Sequence, residues 1–287
     1  MSLTEKIAII TDSCADIPPE LAKKHHIFIL PMQIICPDGE YRDGIDICTE
    51  DIYRRQKTQV LKSSTPSGAD VADTFAEIQK RGYTKAAAIL LSGGLSSTVN
   101  HVRLAAEDLD NLEVEVYDSR QGSIGIGVIA LQAAEYAADG MGFEDLKRKI
   151  EQLITDTKVF FAIDTLEYLQ KGGRIGKATA FAGALLDIKP IMSFDEEGEI
   201  YAAAKVRTHK AVEKRLLQLV SDCKKESRPY NLVVADGGAS EERENLEEKL
   251  TKLFPDYHRL YRANIGAALS IHLGSGLLGA GIQYLDQ

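Results

Sequence analysis

Six apolar residues in succession, Ala86 to Leu91, constrain this fold most. A run without polar alternation reads as a strand covered on both faces, hence a strand of a parallel sheet flanked by helices. Ser92, Gly93 and Gly94 end it, and Leu95, Val99, Val102, Ala106 and Leu109 then recur at helical spacing, predicting a helix from near Ser96. Such a turn suits an anion. First-turn N–H groups lack intrahelical partners, and the helix dipole favours negative charge there.

The same alternation recurs on either side. Ile7 to Ile10 and Val114 to Asp118 read as strands, and Phe143, Leu146, Ile150, Leu153 and Ile154 mark an amphipathic helix. Ser123 to Ala138 is rich in Gly, Ala and Ile, as a tightly packed interior helix requires. Ile27 to Cys36 reads as one strand, and Pro37 to Glu40 as a turn into a second extended piece. Right-handed crossovers then give an α/β fold with a mostly parallel first sheet. The boundary is placed near Thr155-Asp156-Thr157, giving an N-terminal α/β domain, 1–156, and a C-terminal α/β domain, 157–287. The second half offers a strand from Val159 to Ile163, a hairpin around Ile191 to Phe194 and Glu199 to Val206, and a strand from Leu232 to Asp236, which together predict a mixed sheet.

Length and charge exclude several functions. At 287 residues the chain has room for two ordinary cores. A net charge of −9 argues against a general nucleic-acid or anionic-membrane binder, which would carry a basic face. Cys14, Cys36, Cys48 and Cys223 form neither metal-type pairs nor a disulfide framework, which fits a reducing compartment. No stretch reads as a signal peptide or a membrane span, so the expected location is cytoplasmic. No metal-ligand set, phosphate-binding loop or dinucleotide fingerprint occurs, so neither metal nor cofactor is expected.

Individual polar clusters leave alternatives open. Asp12 and Ser13 stand where open α/β sheets place ligands, yet they also suit a helix cap before Pro18-Pro19. Thr49 is expected to cap a helix running to about Gln59. Ser67 and Asp70 read as a capping box, which leaves Ser63, Ser64 and Thr65 as loop hydroxyls. In Lys171-Gly172-Gly173-Arg174-Ile175-Gly176-Lys177 the glycines allow close approach and the basic residues supply charge, or are simply solvated. His272 lies alone in an apolar, glycine-rich tail.

Together these segments resemble the DegV family of fatty-acid-binding proteins, which includes the FakB component of bacterial fatty acid kinase. The likeness runs through Thr11-Asp12-Ser13, Ser64-Thr65-Pro66-Ser67, Leu95-Ser96-Ser97-Thr98, Tyr117-Asp118-Ser119, Gly172-Gly173-Arg174-Ile175, Lys189-Pro190, Val206-Arg207-Thr208, and His272 with Gly274 and Gly276. The resemblance implies two α/β domains with a long-chain fatty acid between and within them. Its carboxylate would meet Thr65 and Ser96, with Ser97 as a further candidate. Arg174 and His272, with Arg207 on the same basic rim, would support phosphoryl transfer by a separate ATP-dependent kinase. Phe160, Phe161, Phe181, Leu185 and Ile271 are candidate linings of the acyl tunnel. The chain itself would be non-catalytic, and transient contact with a membrane or an acyltransferase is implied. The family usually has glycine where Ser97 stands, tyrosine and often glutamine at Val99 and Asn100, and proline at Ser275.

Two other readings compete. One resembles the substrate-binding subunit of dihydroxyacetone kinases, with His272 forming a covalent adduct to a small triose. The other is a lipid-sensing or transport module without a kinase.

Overall fold

The computed structural model describes residues 6–181, 188–225 and 228–285, without the side chains of residues 180 and 181. The chain opens with β1 (Ile7–Asp12), α1 (Pro19–Lys24), β2 (Phe28–Leu30), β3 (Gln33–Cys36), β4 (Gly39–Arg42), α2 (Thr49–Arg55) and β5 (Lys62–Ser64). It continues through α3 (Gly68–Lys80), β6 (Lys85–Leu90), α4 (Thr98–Glu107), β7 (Glu113–Asp118), α5 (Ile124–Ala138) and α6 (Phe143–Asp156). Then come β8 (Thr157–Ala162), α7 (Glu167–Lys171), β9 (Lys189–Phe194), β10 (Ile200–Val206), α8 (His209–Asp222), β11 (Tyr230–Gly237) and α9 (Ser240–Leu253). The chain closes with β12 (Arg259–Asn264), α10 (Ala267–Leu273) and β13 (Leu277–Tyr284).

Three sheets result. β2-β1-β6-β7 is parallel throughout, as the unbroken apolar runs require. β10-β9-β8-β13-β11-β12 is antiparallel except for the β11–β12 pair, hence mixed. The third, β4-β3-β5, is a small antiparallel satellite. Ile27 to Cys36 is therefore two strands in two sheets. Pro31, which has no N–H to give a ladder, falls between them.

α5 sits between the two larger sheets, and every side chain from Ile124 to Ala134 is buried. Gly127 permits this closeness, since a Cβ there would lie 2.5 Å from the Ala15 carbonyl oxygen. One continuous apolar core consequently joins Ile9 and Ile89 of the parallel sheet, through α5 and α6, to Phe161 and Val233 of the mixed sheet. α3 and α4 cover the outer face of the first sheet with Phe75 and Val102, and α8 and α9 cover the second with Leu216 and Leu246. A smaller core around Ile34, Ile52 and Leu61 fixes the satellite sheet against α10. Among the described residues no helix is long and apolar enough to cross a membrane.

Candidate functional site

α10 brings the tail of the chain back between the sheets, and its two ends meet very different surroundings. At its N-terminus three buried carboxylates converge. Asp12 accepts from the N–H groups of Cys14 (3.0 Å) and Leu91 (2.7 Å), tying β1 to the end of β6. Asp16 accepts from the Ser123 hydroxyl (2.5 Å) and the Gly266 N–H (2.8 Å), and Asp43 from the Ser13 hydroxyl (2.7 Å) and the Ala267 N–H (3.0 Å). Ser13 also accepts the Met32 N–H. Asp12 and Ser13 thus fasten the scaffold. Burial pushes Asp12 up to about 7 against the pull of its two backbone donors, and it raises Asp16 and Asp43 as well.

The hydroxyl-rich turn after β6 divides its work. Ser92 is fully buried, donates to the Gly198 carbonyl (2.8 Å) and accepts from the Gly94 N–H, locking the turn against the β9–β10 hairpin. Helix α4 starts at Thr98, two residues later than the spacing predicts, with Ser97 at the cap position but making no side-chain cap bond. Ser96, half-buried, pairs with the Thr98 hydroxyl at 2.8 Å. Thr65 follows β5, and the Ser67–Asp70 box anchors its loop, with the Asp70 N–H donating to Ser67 at 3.0 Å. The expected Thr49 cap is replaced by Cys48, because the Thr49 hydroxyl donates to the Ile265 carbonyl, and α2 ends at Arg55 rather than Gln59.

At the C-terminal end of α10, His272 sits 2.7 Å through Nε2 from the Ser63 hydroxyl, while its buried Nδ1 finds no partner among the described residues. Burial, and then the neighbouring Arg174 charge, lower its pKa to about 4, so the imidazole is neutral at pH 7. Gly172 packs directly on this ring, leaving no room for a Cβ. Arg174 is exposed and donates from Nε to the Leu95 carbonyl (3.2 Å) and from one terminal nitrogen to Gly172 (2.6 Å). Both acceptors are neutral, so among the described residues no carboxylate matches its charge. Lys177 is instead bridged to Asp195, Glu197 and Glu199. Those three carboxylates are the ones, among the described residues, close enough together to share a cation.

Thr65, Ser96, Ser97, Arg174 and His272 border one cavity of about 210 Å³. Beyond this polar mouth its walls are apolar, with Met32, Leu91, Ile124, Phe161, Phe194 and Leu273 among them. Phe161 faces it from the central core, its ring 5.7 Å from that of Phe194, whereas Phe160 borders it while its side chain belongs to the outer core under α8. A second groove of about 380 Å³ adjoins the mouth and shares Ser63, Arg174 and His272 with it.

Two expected residues stand elsewhere. Ile271 points into the satellite core with Ile34 and Ile52, because its neighbour His272 takes the cavity-facing side of α10. Arg207 is exposed at the end of β10, outside the linings of both the cavity and the groove. Leu185 and the Phe181 side chain lie outside the described residues. Ser63, Cys14, Phe194 and Gly279 also border the cavity. Strand alternation alone signals an inward face for Phe194, and nothing local signals the pairing of Ser63 with a histidine 209 residues away.

Comparison with known proteins agrees along the whole chain. The model of the DegV family, described as an uncharacterised protein family, matches residues 6–285. A DegV domain-containing protein of Clostridium acetobutylicum is 36% identical over 275 residues, spanning 96% of this chain and 98% of the relative. Among solved structures, DegV of Bacillus subtilis, described as a fatty acid binding protein, is 30% identical with a TM-score of 0.89, covering 98% of this chain and 100% of its own. A stearic-acid-binding protein of Eubacterium ventriosum is 25% identical with a TM-score of 0.88, covering 97% and 98%. A fold and a sequence likeness that each span nearly the whole chain lead to one assignment: the chain belongs to the DegV family.

Proposed function

We propose that this protein holds a long-chain fatty acid, carboxylate at the polar mouth and acyl chain in the apolar cavity, and presents it to a separate ATP-dependent kinase. One observation carries the reading. An apolar cavity opens at a rim where, among the described residues, the Thr65 and Ser97 hydroxyls make no hydrogen bond and the Arg174 charge has no carboxylate partner. Hydroxyl donors to a carboxylate contribute roughly 1.5–3 kcal/mol each. The acyl chain adds about 0.8 kcal/mol per buried CH₂, on the order of 10 kcal/mol gross for a long chain. Solved DegV proteins described as fatty acid binding support the same ligand.

The chain then acts without a nucleophile of its own. Thr65 and Ser96, with Ser97 beside them, orient the carboxylate, and one of its oxygens attacks the γ-phosphorus of ATP bound to the kinase, releasing ADP. Arg174 offsets charge on the transferring group, while His272, neutral and steadied by Ser63, lends a hydrogen-bonding group without a second cation. A small triose attached to His272 would leave the apolar interior unused.

Mass spectrometry of an organic extract, with the intact protein mass alongside, tests the ligand. A stoichiometric long-chain acid and an unmodified chain are expected; a small adduct on the polypeptide would move the assignment to His272 chemistry. Arg174→Ala should impair acyl-phosphate formation with a cognate kinase while leaving fatty-acid affinity nearly unchanged. Equal loss of both would make Arg174 a binding or folding residue.

A further inference from the structure

Gly279 is the third residue of β13, an interior strand of the mixed sheet, where glycine weakens a strand and offers nothing to pack. Its backbone does not ask for glycine, because its φ is outside the left-handed region. Neither does its packing. A Cβ at this position would meet the Phe160 carbonyl oxygen at 3.4 Å, the Phe161 Cβ at 3.6 Å and the Ala235 carbonyl oxygen at 3.8 Å, all ordinary contacts. Gly281, two residues along the same face, is different: a Cβ there would lie 2.5 Å from the Lys158 carbonyl oxygen, so packing alone explains it.

The register shows what the missing side chain leaves free. Phe161, Gly279 and Ala235 stand side by side across β8, β13 and β11, and all three border the cavity. Cross-strand neighbours share a face, so a side chain at 279 would rise between the Phe161 ring and Ala235 into the cavity. We propose that Gly279 is a specificity residue: the acyl chain lies over it, and the size of residue 279 sets how much chain the cavity accepts. This inference rests on the fatty-acid reading above.

The test measures stability and binding in one pair of variants, Gly279→Ala and Gly279→Val, on delipidated full-length protein titrated with palmitic and stearic acids. Gly279→Ala should melt at or above the wild-type temperature, since it stiffens the unfolded chain without a clash. Its affinity for both acids should fall at least about fourfold, one methylene's worth of burial, and Gly279→Val should lose more. A lowered melting temperature in Gly279→Ala alongside the weaker binding would make Gly279 a packing residue and overturn the proposal. Affinities within about twofold of wild type in both variants would show that no acyl chain crosses it. Wild-type protein binding neither acid would sink the fatty-acid reading itself, a failure visible before either variant is made.

Discussion

The two ends of α10 are both polar, and they differ in whether the protein uses its own polar atoms. At the N-terminal end Asp12, Asp16 and Asp43 each accept two hydrogen bonds from within the chain. At the C-terminal end, among the described residues, the Thr65 and Ser97 hydroxyls make none, His272 keeps a buried nitrogen unpartnered, and Arg174 donates to two neutral carbonyls. Buried polar groups that are satisfied internally hold elements together. Polar groups left without a partner or a matching charge beside an apolar cavity, whether buried like the His272 nitrogen or open like Arg174, are free to take a ligand.

Breaking the first region should cost the fold most. Asp16→Ala strips acceptors from the Ser123 hydroxyl and the Gly266 N–H, and places alanine at φ 50, where aspartate is better tolerated. We expect a loss of about 2–4 kcal/mol in urea denaturation. A loss below about 0.5 kcal/mol would mean that the carboxylates do not hold α10, and the contrast between its ends would fail.

The pH dependence of stability should separate the ends next, because their signs oppose. Folded Asp12 keeps its proton up to about pH 7, whereas an unfolded aspartate releases it near 3.8, so its contribution is fullest below 3.8 and is lost as pH rises through 7. The advantage of wild type over Asp12→Asn should therefore shrink between pH 4 and 7. For His272 the folded value is about 4 against 6.5, so the unfolded chain takes the proton first and stability is lost as pH falls through that window. Across it the loss approaches ~3 kcal/mol, and His272→Gln should remove it. Stability profiles of the two variants that bend the same way would contradict these environments.

How much of this was legible in sequence follows the same line. Unbroken apolar runs such as Ala86 to Leu91 announced the parallel sheet, and the Ser67–Asp70 box formed as written, because both depend on neighbours within a few residues. The β3–β4 hairpin follows the turn read at Pro37 to Glu40, but the third strand of the satellite sheet was missed, since Lys62–Ser64 becomes a strand only by pairing with β3. The apolar, glycine-rich tail carried no element in its sequence pattern, yet it forms α10, with Asp16 and Asp43 accepting the first N–H groups at its start. His272 and Ile271 could not be sorted by type, only by which side of that helix the cavity takes.

Within the mouth, Thr65→Ala should leave stability within about 0.5 kcal/mol, since its hydroxyl makes no bond among the described residues, while lowering affinity for palmitic acid about tenfold or more. Unchanged affinity would remove Thr65 from the carboxylate site.

Ser97→Gly is the smallest change. Ser97 is exposed and caps α4 without a side-chain bond, so the substitution should alter stability by only a few tenths of a kcal/mol. Ser96 is half-buried, borders the cavity and is already oriented by Thr98. A carboxylate held by Ser96 would scarcely notice the change, and palmitic-acid affinity should stay within about twofold. A tenfold loss would transfer the contact to Ser97 and mean that Ser96, like Ser92 before it, serves the turn rather than the ligand.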